Sequence, residues 1–459
     1  MSGAAGGPGE RWDADGWLLE RELFGIRPGL ARMRALLELL GRPQERFAAI
    51  HVVGSNGKTS TVTMAAALLQ RRGVRSGAYA SPHLVRFAER VQIAGAPLDA
   101  GPFAAAVARV RAAAEELEAQ RTTASDGQDV GDGGADGGWD GGERVTQFEA
   151  ITATAYLAFA EAGVECAVIE AGLGGRWDAT NVLPRDPAGP GRPPVAVLTS
   201  VSLEHTRWLG TTNAAIAAEK VEVLRPGGTL VLGHGLPAEA VAVAEALAAE
   251  RGATIVRAPA DPGSDVPTPG TGPDRGGALF QRRNLATAMA AVDAQLGAPD
   301  PAAARALAAG IVVPGRFQTV DPGGSGGPTV IHDGAHNEAG MVALADALDA
   351  APPARPLVAL IGVLDDKDPA AMVRALDRWC DRVVAVAPGN PRALPAADLA
   401  AIVARALPGR PVDVAAGPHE GLRMARTLAG ASGTVLATGS LHLLADLHRG
   451  PAAGPASAF

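Results

Sequence analysis

The chain has 459 residues, a formal net charge of −8 and 47% hydrophobic residues, which is enough for two or three domains with substantial cores. The acidic balance excludes the basic face of a general nucleic-acid binder, and no apolar run reaches the ~18 residues needed to cross a bilayer. The N-terminus lacks the basic-then-apolar order of a signal peptide, and the two cysteines, Cys166 and Cys380, exclude a disulfide framework and fit a reducing cytoplasm.

Residues 1–16 are Gly-rich, carry no apolar period and are expected to be disordered. Pro28 to Leu40 reads as an amphipathic helix, with Pro near its start and Gly41 past its end. Ile50 to Thr61 (IHVVGSNGKTST) then runs from apolar residues through a glycine loop into the helical Val62 to Arg72. Strand, tight loop and helix N-terminus gather amides that suit an anion, with Lys58 adding a mobile positive charge. The strict phosphate-loop pattern wants Gly five residues before Gly57, where this chain has Val52, so a plain Gly-rich turn also fits. Tyr79 to Leu84 ends the next strand with Ser81 and His83, either a ligand-bearing edge or a Ser-Pro turn.

Arg121 to Arg144 is a low-complexity acidic run without the twelfth-position Glu of a calcium loop, and reads as a mobile insertion. Thr146 and Glu149 have capping-box spacing at the head of a helix to Ala162. Ala167 to Ala171 is a buried strand ending in the carboxylate of Glu170. Burial there demands a cation, either a magnesium ion or Arg176. Val195 to Ser200 is a further strand with His205 beyond it, and Thr211 to Leu224 is a helix bearing Glu219 and Lys220. Oxygen-seeking magnesium gives no reason to single out His205. Strands at Gly228 to Leu232 and Ala253 to Val256, a Pro/Gly loop from Ala258 to Ala278 and a helix from Arg282 to Leu296 follow.

A boundary is expected near Val313-Pro314-Gly315-Arg316, dividing the chain into 1–312 and 313–459. Beyond it the βα rhythm restarts as a five-strand doubly wound unit. Its strand ends carry Asp333 to Asn337, Asp365 to Asp368 and Thr438 to Ser440, a second ligand-bearing edge facing the first. The fold class is α/β: a phosphate-loop ATPase domain with a mostly parallel sheet, plus a smaller Rossmann-like C-terminal domain.

GSNGKTS, SPHL with FAERVQIAG, EAGLGGRWDATN, the His205 segment, Glu219-Lys220, PGRFQ, DGAHN, the DDKD run and TGSLHLL occur in one order from about Leu23 to Leu447. This array resembles the folylpolyglutamate synthase/dihydrofolate synthase family of the Mur ligase superfamily. The resemblance implies an ATP-dependent ligase in folate biosynthesis. Such enzymes join L-glutamate to a folate-type carboxylate (dihydropteroate and/or tetrahydrofolyl-glutamates) through an acyl phosphate, releasing ADP and phosphate. It further implies that Gly54, Ser55, Asn56, Gly57, Lys58, Thr59 and Ser60 cradle ATP together with Asn284, Arg316 and Asp333. Thr59, Ser81, Glu170 and His205 match magnesium ligands, and Lys220 matches a lysine whose carbamylation can hold a second magnesium. Lys58, Lys220 and His336 would be catalytic, His336 and Ser440 would meet glutamate, and Thr146, Phe148, Glu149, Trp177, Asp178 and Ala179 would meet the pterin. A monomer acting on small molecules, without nucleic-acid or membrane partners, is the expected state.

The chain departs from the family at Glu204, where Asp is usual, at Val221-Glu222-Val223, at Glu338 and at Phe280. Glu222 adds negative charge near the expected carbamate. Competing readings are a Mur-type ligase for another acid such as a peptidoglycan precursor, a phosphate-loop small-molecule kinase, and an inactive nucleotide-binding protein. The kinase leaves the C-terminal unit without a role.

Overall fold

A computed structural model describes residues 12–21, 29–122, 144–184, 193–263, 266–269, 278–323 and 326–449. The described residues build two sheets. The first uses β1 (Ala48–Val53), β2 (Ser76–Tyr79), β3 (Val91–Ile93), β4 (Ala96–Pro97), β5 (Cys166–Glu170), β6 (Val195–Leu198), β7 (Thr229–Leu232) and β8 (Thr254–Arg257), in the order β4-β3-β2-β5-β1-β6-β7-β8. All pairs are parallel except β2–β3 and β3–β4, which form an antiparallel edge. Strands covered on both faces by crossover helices need apolar side chains on both, and β1, β5 and β6 comply with near-continuous Ala, Val and Ile.

Helix faces complete the layers. Ile50, Val52, Val168 and Val197 bury against helices Lys58–Arg71, Leu279–Leu296 and Pro301–Ala308. Ala49, Tyr79, Ala167 and Ile169 bury on the opposite face against helices Ala31–Leu39, Ala100–Thr122 and Gln147–Glu161. The predicted capping box is present: Thr146 Oγ1 accepts the Glu149 amide at 3.2 Å, and Glu149 accepts the Thr146 amide at 2.8 Å.

The second sheet uses β9 (Gln318–Asp321), β10 (Thr329–His332), β11 (Leu357–Ile361), β12 (Arg382–Ala385), β13 (Val412–Val414) and β14 (Thr434–Thr438), in the order β13-β12-β11-β14-β10-β9. It has six strands rather than the five read from the sequence. The addition, β9, pairs antiparallel with β10 at the edge. Its half-exposed Gln-Thr-Val-Asp has neither the length nor the apolar run that marks a buried parallel strand.

The expectation of disorder over 1–16 is corrected at its end. Asp13 caps a helix, Ala14–Leu19, by accepting the Gly16 amide at 2.9 Å, and Trp17 and Leu18 are buried. Residues 1–11 and nearly all of the acidic insertion, 123–143, lie outside the described residues. Among the described residues no helix is long and apolar enough to cross a membrane.

Candidate active site

The carboxyl ends of β1, β5, β6, β10 and β14 open on one cleft of about 600 Å³ between the sheets. β1 ends at Val53, Gly54 opens the loop, and Gly57 takes φ +83° to start helix Lys58–Arg71. That conformation favours glycine, and a Cβ there would fall 2.5 Å from Asn284 Oδ1, so Asn284 is seated directly on the loop. The loop is braced from β6: the Ser55 amide donates to the Ser200 carbonyl at 2.9 Å and the Asn56 amide to Ser200 Oγ at 2.8 Å. Thr199 Oγ1 donates to the Asn56 carbonyl at 2.7 Å. Lys58 Nζ is folded back on its own loop, donating to the carbonyls of Gly54 at 2.8 Å and Ser55 at 3.3 Å.

Beside the loop stands Glu170, 1% exposed at the end of β5. Its Oε1 accepts from Thr59 Oγ1 at 3.0 Å and its Oε2 from the Ser81 amide at 3.2 Å. Burial pushes its carboxyl above the usual range, opposed by Lys58 and by these donors. Among the described residues it forms no ion pair; Arg176 turns instead to Glu219 and Glu222, each at 3.0 Å, which removes the Glu170–Arg176 alternative. A buried carboxylate held by the Thr59 hydroxyl and the Ser81 amide, with no ion-pair partner among the described residues, suits magnesium, which takes one or two carboxylates, waters and phosphate oxygens. The oxygen set Thr59, Ser81 and Glu170 therefore fits that ion.

A second charged centre lies along the same wall. Lys220, 2% exposed, donates to Glu204 Oε1 at 2.8 Å. Burial alone would raise the Glu204 carboxyl, but the Lys220 and Lys58 ammonium groups hold it at about 2. Burial lowers the Lys220 ammonium against the pull of Glu204. His205, in the left-handed conformation at φ +45°, lines the cleft beside Glu204, and burial lowers its pKa. Glu222 is not a free charge near Lys220 as expected; Arg176 and Arg251 engage it.

The facing wall comes from the second sheet. The Asp333 carboxylate accepts the amides of Phe317 and Ala335, each at 2.8 Å, fixing the turn after β10 to the crossing segment Gly315–Phe317. Arg316 lies over Gly334, whose absent Cβ would be 2.6 Å from Nη1. His336 donates from Nδ1 to the Gly334 carbonyl at 2.9 Å, and burial lowers its pKa to about 4. The ring is thus neutral at physiological pH, with Nε2 unprotonated for a ligand. Ser440 caps the last helix by accepting the His442 amide at 3.0 Å and also lines the cleft. Asn56 and Asn337 join the two walls through their side-chain amides at 3.2 and 3.4 Å.

Every sequence-predicted nucleotide, metal and glutamate residue lines this cleft, as do Lys58, Lys220 and His336. The expected pterin residues do not. Thr146 and Glu149 are buried in the helix cap, with Glu149 paired to Arg32 at 2.8 Å. Phe148 packs on Gly172 from behind the cleft wall, and the Asp178 carboxylate is occupied by the chain's own amides. Sequence reading missed the bracing hydroxyls of Thr199 and Ser200 and gave no role to Arg392, which lines the cleft too; Asp366 and Lys367, read from the sequence as part of the second ligand-bearing edge, also line it. A hydroxyl pair directly after β6 was the only available signal for the first.

Comparison with known proteins agrees with this geometry. The Mur ligase glutamate ligase domain model matches residues 315–441. Dihydrofolate synthase/folylpolyglutamate synthase of Mycobacterium tuberculosis is 36% identical over 397 residues, covering 80% of this chain and 76% of that protein. The chain belongs to the folylpolyglutamate synthase/dihydrofolate synthase family. Among solved members, the M. tuberculosis folylpolyglutamate synthase complexed with ADP and AMPPCP superposes with TM-score 0.79 at 30% identity, covering 95% of this chain and 98% of that one. A bifunctional member with Mn, AMPPNP and L-glutamate bound gives TM-score 0.73 at 28% identity, covering 95% and 97%.

Proposed function

We propose that this protein ligates L-glutamate to a folate-type carboxylate, dihydropteroate or a tetrahydrofolyl-glutamate, at the expense of ATP. The observation that carries the reading is one cleft with phosphate-loop chemistry on one wall and an uncharged imidazole, His336, on the other. A carboxylate is a poor electrophile. Moving the γ-phosphoryl group of ATP onto it makes an acyl phosphate, whose carbonyl the α-amine of glutamate attacks, expelling phosphate and leaving an amide. The work of the protein is positioning and charge neutralisation.

In this reading Gly54 to Ser60, Asn284, Arg316 and Asp333 hold the nucleotide. Lys58 leaves its loop carbonyls for the β/γ phosphates. Thr59, Ser81 and Glu170, with His205, hold magnesium, which neutralises phosphate charge when bound. His336 Nε2 accepts a hydrogen bond from the glutamate amine, and Ser440 contacts the same substrate. Phe148 and Trp177 form the pterin end, entered from the far side of the Gly172 loop. A carbamate on Lys220 would place two anions beside each other with Glu204, so a second magnesium ion is its natural partner. We divide the chain into domains at 312/313 and assign it to the cytoplasm as a monomer.

The test is phosphate release from ATP with dihydropteroate plus glutamate, and with a reduced folate plus glutamate. Release with at least one pair, matched by amide product, is expected; release with neither overturns the reading. The Mur-type alternative predicts release only with a peptidoglycan precursor, which the family match does not favour.

A further inference from the structure

β1 lies between β5 and β6, a position covered on both faces, where a strand normally carries only apolar side chains. His51 interrupts it and is 1% exposed. Its Nε2 lies 2.8 Å from Thr180 Oγ1, and the Thr180 hydroxyl makes a short hydrogen bond to Asp178 Oδ1. Burial pushes the Asp178 carboxyl above its usual range, opposed by the Thr180 hydroxyl and the backbone amides that bond its ionised form; that carboxylate accepts the single hydroxyl proton of Thr180, and Thr180 accepts from His51. His51 is therefore the neutral Nε2–H tautomer. Burial first, and the Arg225 cation second, keep it uncharged with a pKa of about 3. Its Nδ1 bonds nothing among the described residues, so its hydrogen bonding is directed to Thr180 alone.

The chain of bonds continues to the cleft. Asp178 Oδ2 accepts the Leu173 amide at 2.8 Å, and Oδ1 also takes the Thr180 amide at 3.0 Å. Leu173 belongs to the Gly172–Gly174 stretch that lines the cleft directly after Glu170. Two residues on, Gly175 meets the Lys220 helix so closely that a Cβ would fall 2.4 Å from the Lys220 carbonyl oxygen, and the Arg176 amide donates to the Glu219 carbonyl at 2.9 Å. Residues 171–181 thus form a strap. It starts at Glu170, rests on the helix that carries Lys220, and is tied to the middle of the sheet by His51.

We propose that His51 and Thr180, acting through Asp178, are positioning residues that hold this strap so that Glu170 and Lys220 stay in register with the phosphate loop. The inference rests on the ligase reading for what the register serves. In that setting the Asp178 carboxylate orients the cleft wall. The hydrogen bonds it accepts from the Leu173 and Thr180 amides are charge-assisted, so they are stronger and more directional than a neutral side chain could provide.

The test compares Thr180→Val, which keeps shape and removes the hydroxyl, with Thr180→Ser, which keeps the hydroxyl, and with His51→Phe. In the ligand-free protein, amide hydrogen exchange at Leu173 should accelerate in Thr180→Val and His51→Phe and stay as in the parent in Thr180→Ser. In turnover, losing one charge-assisted hydrogen bond should raise the half-saturating magnesium concentration and the KM for ATP about tenfold in Thr180→Val. The KM for glutamate, whose site lies on the opposite wall, should stay at the parent value. Unchanged exchange at Leu173, or equal rises in all three constants, overturns the proposal. A parent protein that turns over no folate substrate refutes the ligase reading instead, and leaves the exchange comparison to decide the strap on its own.

Discussion

The buried pair of Glu204 and Lys220 gives a prediction that can be worked through in numbers. Glu204→Gln keeps the shape of the side chain and removes its charge, leaving an ammonium that is 2% exposed without its counter-ion. Breaking a buried pair from one side costs ~3–5 kcal/mol. The pKa supplies an independent figure: Glu204 is held at about 2 against an ordinary 4.5. That gap corresponds to ~3 kcal/mol at about 1.36 kcal/mol per pH unit. A depressed carboxyl stabilises the fold fully above its unfolded value and loses that contribution as pH falls toward the folded one. Urea unfolding should therefore show Glu204→Gln about 3 kcal/mol less stable at pH 7, and the deficit should shrink to about half at pH 3. Adding Lys220→Met should restore most of the loss, because an apolar pair of similar volume avoids the desolvation cost. A deficit below about 1 kcal/mol at pH 7, or one that does not shrink in acid, would refute the reasoning.

Three further outcomes follow from the cleft. Glu170→Gln removes a buried charge that forms no ion pair among the described residues, so thermal stability of the ligand-free protein should rise by ~1–3 kcal/mol while magnesium-dependent turnover falls at least about tenfold. Asn337→Ala deletes the amide pair with Asn56 and ~1 kcal/mol of contact between the walls; small-angle scattering without ligands should show a larger radius of gyration, and an unchanged one counts against the contact. His336 has its pKa lowered from 6.5 to about 4, so it contributes stability above about pH 6.5 that is lost as pH falls toward 4. Acid titration of stability should flatten over that window in His336→Asn, and kcat should show no inflection from this ring above about pH 5.

The phosphate loop, the alternation of strands and helices and the capping box at Thr146 were legible because each is local: a glycine at the αL position, a period of apolar residues, a hydroxyl three positions before a carboxylate. What was missed depends on partners distant in sequence. Ser200 braces a loop 144 residues earlier, and the hydroxyl pair after β6 does not say which segment it reaches. Glu222 looked like an extra negative charge near Lys220 because the sequence does not show that Arg251, 29 residues on, turns toward it. β9 escaped because an exposed edge strand of mixed polarity has no periodic signature. Asp178 shows the limit from the other side: its motif pointed to substrate, and the sequence gives no sign that both carboxylate oxygens also accept amides of the strap itself.

The charges that remain in the cleft say what the cleft is built to accept. Lys58 has its loop carbonyls, Lys220 has Glu204, and Asp333 has two backbone amides. Glu170 is buried and Arg316 half-buried, desolvation works against the charge of each, and among the described residues neither forms an ion pair. An anion receptor and a cation receptor left open in one cavity do not suit a neutral ligand or a simple anion, each of which would leave one of them uncompensated. A metal–nucleotide complex carries both signs on one molecule: under the proposed function its cation would meet Glu170 and its phosphates would meet Arg316 and the released Lys58. Holding two opposite charges apart in a dry site is costly without that ligand. The cost is recovered on binding, so affinity and charge neutralisation come from the same residues.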